Sequence, residues 1–233
     1  MHVCFLDIDG TLVLTGGAGQ TAFAQTLAAD FGIPEIDTPA IDTRVAFAGR
    51  SDRAIAMDLF RSHGIEPSVE NWRRFCTGYL ARLEQTLATH AGYVLPGVTD
   101  LLTTLAARGD VALGLLTGNV REGARRKLGH YGLWEWFPFG GFGDDYDDRC
   151  QIAAAALRAA KSHVNGRLGG GISGQIIVIG DTLHDIACGR SIGARCVAVS
   201  TGQTPPEVLR EARPDLLVPT LANLEPILAL FGN

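Results

Sequence analysis

Short apolar runs alternate along the chain with longer stretches in which apolar residues recur every three or four positions, and each run ends in a turn signal. Val3 to Ile8 is closed by Asp9-Gly10, Val111 to Leu116 by Thr-Gly-Asn, Gln175 to Ile179 by Gly-Asp, and Arg195 to Val199 by Ser-Thr-Gly. Runs that are apolar at successive positions are what strands buried on both faces of a parallel sheet require. Between them, Val98, Leu101, Leu102 and Leu105 precede Gly109, and Val120, Ala124, Leu128 and Tyr131 precede Gly132. Ile152, Ala156 and Ala160 continue the pattern. These spacings predict helices. The alternation predicts an α/β fold with a doubly wound parallel sheet, to which Leu216 to Val218 adds a short last strand.

One region departs from the alternation. From Gly16 to Ala91 helical stripes follow one another without a strand: Ala18, Ala22, Phe23, Leu27 and Phe31, then Ile55, Leu59 and Phe60, then Trp72, Phe75, Tyr79, Leu80, Leu83 and Leu87. The economical division is a helical insertion over 16–91, with a core made of 1–15 and 92–233. Asn165 to Gly174 carries five glycines without phosphate-binding spacing and reads as a flexible surface loop.

Composition narrows the function classes. The chain has 233 residues, 46% of them hydrophobic, a net charge of −5 and a pI near 5.6. An acidic balance excludes nonspecific attraction to nucleic acid or anionic lipid, which needs basic patches, and favours a small, mobile substrate. Cys4, Cys76, Cys150, Cys188 and Cys196 stand singly, so neither a disulfide framework nor a zinc site is expected. No basic start with a long apolar region opens the chain, and no run reaches the length of a membrane span. A cytoplasmic protein, monomer or homodimer, is the expectation.

The polar residues that close the apolar runs carry the chemistry, because open parallel sheets bind ligands outside the carboxyl ends of their strands. Asp7 and Asp9 close the first run, Thr117 and Asn119 the second, Asp181 and Asp185 the third. Singly, each has a structural explanation: Asp9-Gly10 a turn, Asn119 an N-cap, Asp181 the cap of the following helix. Jointly, four carboxylates and a hydroxyl from three strand ends make a site for a hard cation, with magnesium the best match. Asp7 and Asp9, two apart on an extended strand, share a face and can approach one phosphoryl group.

Asp7-Ile-Asp9-Gly-Thr-Leu resembles the first motif of the haloacid dehalogenase superfamily, Leu116-Thr117-Gly118-Asn119 the second, and Gly180-Asp181-Thr-Leu-His-Asp185 the fourth. The helical insertion is similar to that family's type-1 cap. The resemblance covers the whole chain and implies a Rossmann-like core, a mobile cap and phosphotransfer. It implies that Asp7 attacks phosphorus to form an aspartyl-phosphate, and that Asp9 protonates the leaving oxygen and later deprotonates water. Magnesium would be held by Asp7, the Asp9 backbone carbonyl and Asp181, with Asp185 as ligand or behind the ligands. Thr117, Gly118 and Asn119 would contact substrate, Thr117 and backbone N–H groups holding phosphoryl oxygens. An acid at Asp9 separates phosphatases and mutases from dehalogenase and phosphonatase members.

The third motif departs from the family's usual lysine. Lys127 and Lys161 are the only lysines, and neither opens a helix after a strand. Arg149 does: it follows Phe137 to Phe142 and the acidic loop Asp144-Asp145-Tyr-Asp147-Asp148, and opens the alanine-rich helix. Arginine stays charged and meets carboxylate or phosphate with a fixed fork, so it can fill the role. Lys161 is the competitor.

In the cap, Gly49-Arg50-Ser51-Asp52 interrupts the helices; Arg50 is a candidate for a substrate carboxylate or second phosphate, and Ser51 for capping the next helix. Gly16 to Gly19 are candidates for a hinge. His184 reads as a surface or supporting histidine, and Trp134 and Trp136 as packing. The pattern most resembles phosphoglycolate phosphatases. A β-phosphoglucomutase-like mutase shares every motif, and a regulatory protein on a decayed enzyme core is a third reading.

Overall fold

The structure, a computed structural model, describes residues 1–33, 47–168 and 171–232; residues 34–46 of the expected cap and 169–170 of the glycine-rich stretch lie outside the described residues. The strands are β1 (His2–Leu6), β2 (Val13–Leu14), β3 (Tyr93–Val94), β4 (Val111–Leu116), β5 (Phe139–Gly141), β6 (Ile176–Gly180), β7 (Arg195–Val199) and β8 (Leu216–Val218). The helices are α1 (Ala18–Phe31), α2 (Asp52–Ser62), α3 (Val69–Thr89), α4 (Val98–Ala107), α5 (Arg121–His130), α6 (Arg149–Leu168), α7 (Leu183–Ser191), α8 (Pro206–Glu211) and α9 (Glu225–Leu228).

Six strands form one Rossmann-like sheet in the order β5-β4-β1-β6-β7-β8, with all neighbours parallel. Alternation along each strand sends side chains to two different apolar layers. Cys4 and Leu6 of β1, Leu113 and Leu115 of β4, and Ile177 and Ile179 of β6 pack with Leu101, Leu105 and Leu128 from α4 and α5. Val3, Phe5, Ala112, Leu116 and Val178 face Ala153, Ala156, Ala160 and Val164 of α6. Each such side chain is nearly or wholly buried, which stabilises the fold by about 1.5–3 kcal/mol for a large aliphatic. That double-sided burial is why these strands read as unbroken apolar runs.

The chain leaves β1 for β4 and β5 on one side, then crosses through α6 to β6, β7 and β8 on the other. The order therefore reverses at β1, and the crevice between the ends of β1 and β6 is the place where such sheets bind ligands.

The expected glycine-rich loop begins later than its composition suggested. Asn165 to Leu168 belong to α6, because the stripe Ile152, Ala153, Ala156, Ala160 and Val164 packs on the sheet and carries the helix past Asn165 and Gly166. Tertiary burial here overrides local propensity. β2 and β3 were not expected. They form an antiparallel pair, Val13 against Val94 and Leu14 against Tyr93, that brackets the helical segment; two residues are too few to leave a periodic signal.

α1, α2 and α3 share their own apolar centre, in which Phe23, Phe60, Phe75 and Tyr79 meet ring to ring, Phe23 and Phe75 at 4.5 Å between centroids. The aromatic stripe of this region is core. Ser51 caps α2 by accepting from Ala54 N–H at 3.1 Å. Trp134 and Trp136 are half-buried against the main core, as packing residues.

Candidate active site

Asp7 is the first residue beyond β1, yet its N–H still bonds Ile179 O at 3.0 Å, so the sheet itself fixes the position of its carboxylate. The chain then turns at Gly10, whose φ of +85° favours glycine. A Cβ at Gly10 would stand 2.5 Å from Asp181 Oδ2, and one at Gly202 1.7 Å from the same oxygen. Two loops thus leave room for the Asp181 carboxylate and nothing more. Thr11 Oγ donates to Asp181 Oδ1 at 2.9 Å.

Asp7, Asp181 and Asp185 form a buried triad whose nearest carboxylate oxygens lie within 4.8 Å of one another. Asp185 is fully engaged: Oδ2 accepts from Thr182 N–H (3.0 Å) and Thr182 Oγ (2.7 Å), closing a capping box at the start of α7, and Oδ1 accepts from Arg149. Thr182, not Asp181, is the helix cap, which leaves Asp181 available. Burial first, and the Asp185 charge second, push Asp7 up to about 7 and Asp181 up to about 8, against the opposing pull of Arg149 on Asp7 and the Thr11 hydrogen bond to Asp181. Asp7 Oδ1 is buried without a hydrogen-bond partner. An all-oxygen set, short of positive charge and holding an orphaned carboxylate oxygen, fits a hard divalent cation.

Arg149 opens α6 and is buried. Its guanidinium bonds Asp185 and stands 3.6 Å from Asp7 Oδ1. Burial opposes the charge, but Asp185 and Asp7 outweigh it and hold the group more firmly protonated. Lys161 lies exposed farther along the same helix, away from the triad. The geometry brings Arg149, and not Lys161, to Asp7.

Asp9 lines the same cavity as Asp7, but its carboxylate is outside the triad. Its side chain is 42% exposed and held by Asn119 Nδ2 (2.9 Å to Oδ2) and Lys127 Nζ (2.7 and 2.9 Å). Asn119 Nδ2 also donates to Thr117 Oγ at 2.8 Å. Asn119 is therefore not an N-cap; it ties together two candidate catalytic side chains. Thr117 is wholly buried at the end of β4.

Sequence reasoning set Lys127 aside, and the structure buries it in this site. α5 carries Arg121, Arg125, Arg126 and Lys127, a run that reads as a solvated basic face. The available signal was spacing: Lys127 follows Val120 by seven positions and Ala124 by three, on the stripe that faces inward.

The loop before α2 docks on the second motif. Asp52 N–H donates to Gly118 O at 2.8 Å, and Asp52 Oδ2 accepts from Val120 N–H at 2.9 Å. A Cβ at Gly118 would stand 2.1 Å from Arg50 O, so the contact requires glycine. Arg50 pairs with Asp58 at 2.6 Å and also lines the cavity. His184 lies against Gly49 of this loop. The cavity, about 390 Å³, is lined by Asp7 and Asp181 of the triad and by Phe23, Ile55 and Tyr79 of the helical segment.

A HAD-hydrolase-like family model matches residues 151–224. A phosphoglycolate phosphatase of Synechococcus elongatus is 28% identical over 96% of this chain and 95% of its own. A hydrolase of Pseudomonas syringae shares the fold at a TM-score of 0.72 and 21% identity, covering 98% of each chain. A proposed β-phosphoglucomutase of Thermotoga maritima does so at 0.63 and 20%, covering 98% and 99%. With the ordered acidic motifs, the family-model match and the whole-length phosphatase relative support a phosphoglycolate phosphatase-like hydrolase of the haloacid dehalogenase superfamily, and the solved structures share its fold.

Proposed function

We propose that the chain is a magnesium-dependent phosphatase of small phosphorylated metabolites that works through an aspartyl-phosphate on Asp7, with Asp9 as general acid and base. Phosphatase chemistry is supported by the relatives. The residue roles rest on one observation above all: Asp7 lines the cavity, and its Oδ1 is buried without a hydrogen bond, 3.6 Å from the Arg149 guanidinium. Magnesium would be held by Asp7, Asp181 and the Asp9 carbonyl, with Asp185 behind them, and would supply charge that offsets the phosphoryl oxygens.

Asp7 attacks phosphorus while the ester oxygen leaves with a proton from Asp9; water then gives a proton to Asp9 and attacks the acyl phosphate. Arg149 keeps Asp7 charged and aimed, and Thr117 with nearby N–H groups holds the phosphoryl oxygens. Asp9 is suited to the proton work because its side chain, 42% exposed, lines the cavity beside Asp7. Phosphoglycolate-like compounds and sugar phosphates are the substrates to try first. The test is release of phosphate from a panel of such metabolites, with and without magnesium and with Asp7→Asn. Metal-dependent release lost in the variant supports the reading. Isomerisation of a sugar phosphate without release would assign a mutase instead, and metal-independent release would overturn the proposal.

A further inference from the structure

Resting on the reading of Asp9 as the proton donor, we infer that Lys127 is a positioning residue that, with Asn119, clamps the Asp9 carboxylate on the leaving-group side of the cavity. Its ammonium meets both oxygens of Asp9, at 2.9 and 2.7 Å, while Asn119 Nδ2 fixes one of them from the other loop. Two donors from two elements, α5 and the loop after β4, define one rotamer of a side chain that is otherwise 42% exposed.

The asymmetry of the pair says which way the influence runs. The Lys127 side chain is only 6% exposed, whereas Asp9 opens to the cavity. A buried lysine is costly unless its charge is paired. Arg121 and Arg125 of α5 lie outward, and the half-buried Arg126 is satisfied by Glu122 and the Leu80 carbonyl. Lys127 alone is turned inward, beside Gly19, where an added Cβ would stand 3.3 Å from its Nζ and 3.8 Å from Tyr79 Oη. Gly19 and Tyr79 of the helical segment lie beside the ammonium, and although Lys127 also lines the cavity, the group that it bonds there is Asp9. The acidic Asp52, buried close by, holds its own partner Val120 N–H, so Asp9 is the group that Lys127 bonds.

The clamp serves the departure of the leaving group, and that step can be read separately. kcat/KM covers events only through that departure. A p-nitrophenyl phosphate needs little protonation of its leaving oxygen; an alkyl phosphate such as glycerol phosphate needs it fully. Lys127→Met should lower kcat/KM about 10²-fold for the alkyl ester, on the scale of losing a well-placed acid, and less than about fivefold for the aryl ester. Lys127→Arg should recover part of the alkyl loss. In an Asp9→Asn background, Lys127→Met should add no further loss, since the clamp would have nothing to act on.

Equal losses on both esters, additive losses in the double variant, or an effect confined to KM would overturn the inference, the last making Lys127 a substrate contact. If the wild-type chain hydrolysed neither ester, an alkyl phosphate that it does hydrolyse in the metabolite panel would take the place of glycerol phosphate, and failure on the whole panel would sink the phosphatase reading itself. The clamp would still be decided by crystal structures of wild type and Lys127→Met: Asp9 should leave Asn119 in the variant, and an unmoved carboxylate would refute the clamp. Should Lys127→Met fail to fold, Lys127→Arg and Asn119→Ala carry the same ester comparison.

Discussion

The Arg149 guanidinium stands 3.6 Å from Asp7 Oδ1 and is hydrogen-bonded to Asp185, so one buried cation serves two of the three triad carboxylates. Removing it should strip stabilisation needed chiefly in the transition state. Arg149→Ala is expected to lower kcat by about 10²- to 10³-fold, on the scale of losing one preorganised donor. Lysine there should restore part of the loss, being a point charge without the fork. Lys161→Ala, at an exposed position, should change kcat little. Steady-state kinetics of the three variants check this, and the reverse ranking would place the third motif elsewhere.

The triad also sets how stability depends on pH. Asp7 and Asp181 titrate up to about 7 and about 8 in the folded chain, against an ordinary 3.8. Between those values the folded chain keeps protons that the unfolded chain has lost. Metal-free stability should therefore be greatest near the acid end of this window and fall as pH rises through it. A divalent cation replaces those protons, so saturating magnesium should raise Tm more at about pH 8 than at about pH 5. Thermal melts with magnesium or chelator at both values test it. A magnesium shift larger on the acid side would contradict the assignment of the triad as the metal site.

Docking of the loop before α2 on Gly118 and Val120 gives a stability prediction. Asp52 accepts from the Val120 N–H in a buried setting, so Asp52→Ala leaves that donor unpaired and should cost about 1–3 kcal/mol. Asp52→Asn keeps an acceptor and should cost less. Gly118→Ala is expected to be worse, because its methyl would meet the Arg50 carbonyl, backbone that cannot swing aside. Denaturant midpoints rank the three, and a benign Gly118→Ala would show that the loop does not hold this contact in solution.

Much of this was legible in the sequence, for physical reasons that differ by residue. β4, β7 and β8 have the bounds that their apolar runs predicted, because strands buried on both faces leave a continuous signal. Asp7 and Asp181 were legible because an acid directly after such a run must lie at a strand end. Arg149 was legible as a charge opening a helix beyond an acidic loop. Lys127 was not, because three neighbouring basic residues on α5 disguised the single position that turns inward. The docking of Asp52 on Gly118 and Val120 was also hidden, since it joins residues 66 and 68 positions apart whose local patterns say nothing of each other.

The central claim is that Asp7 carries the phosphoryl group, and it is tested most directly by quenching the enzyme with acid during turnover and locating the phosphoryl group by peptide mass spectrometry. The account predicts an acid-stable, hydroxylamine-labile phosphoryl group on the peptide containing Asp7, absent in Asp7→Asn. Undiminished turnover in Asp7→Asn, with deamidation back to aspartate excluded, or a phosphoryl group on another residue would contradict it.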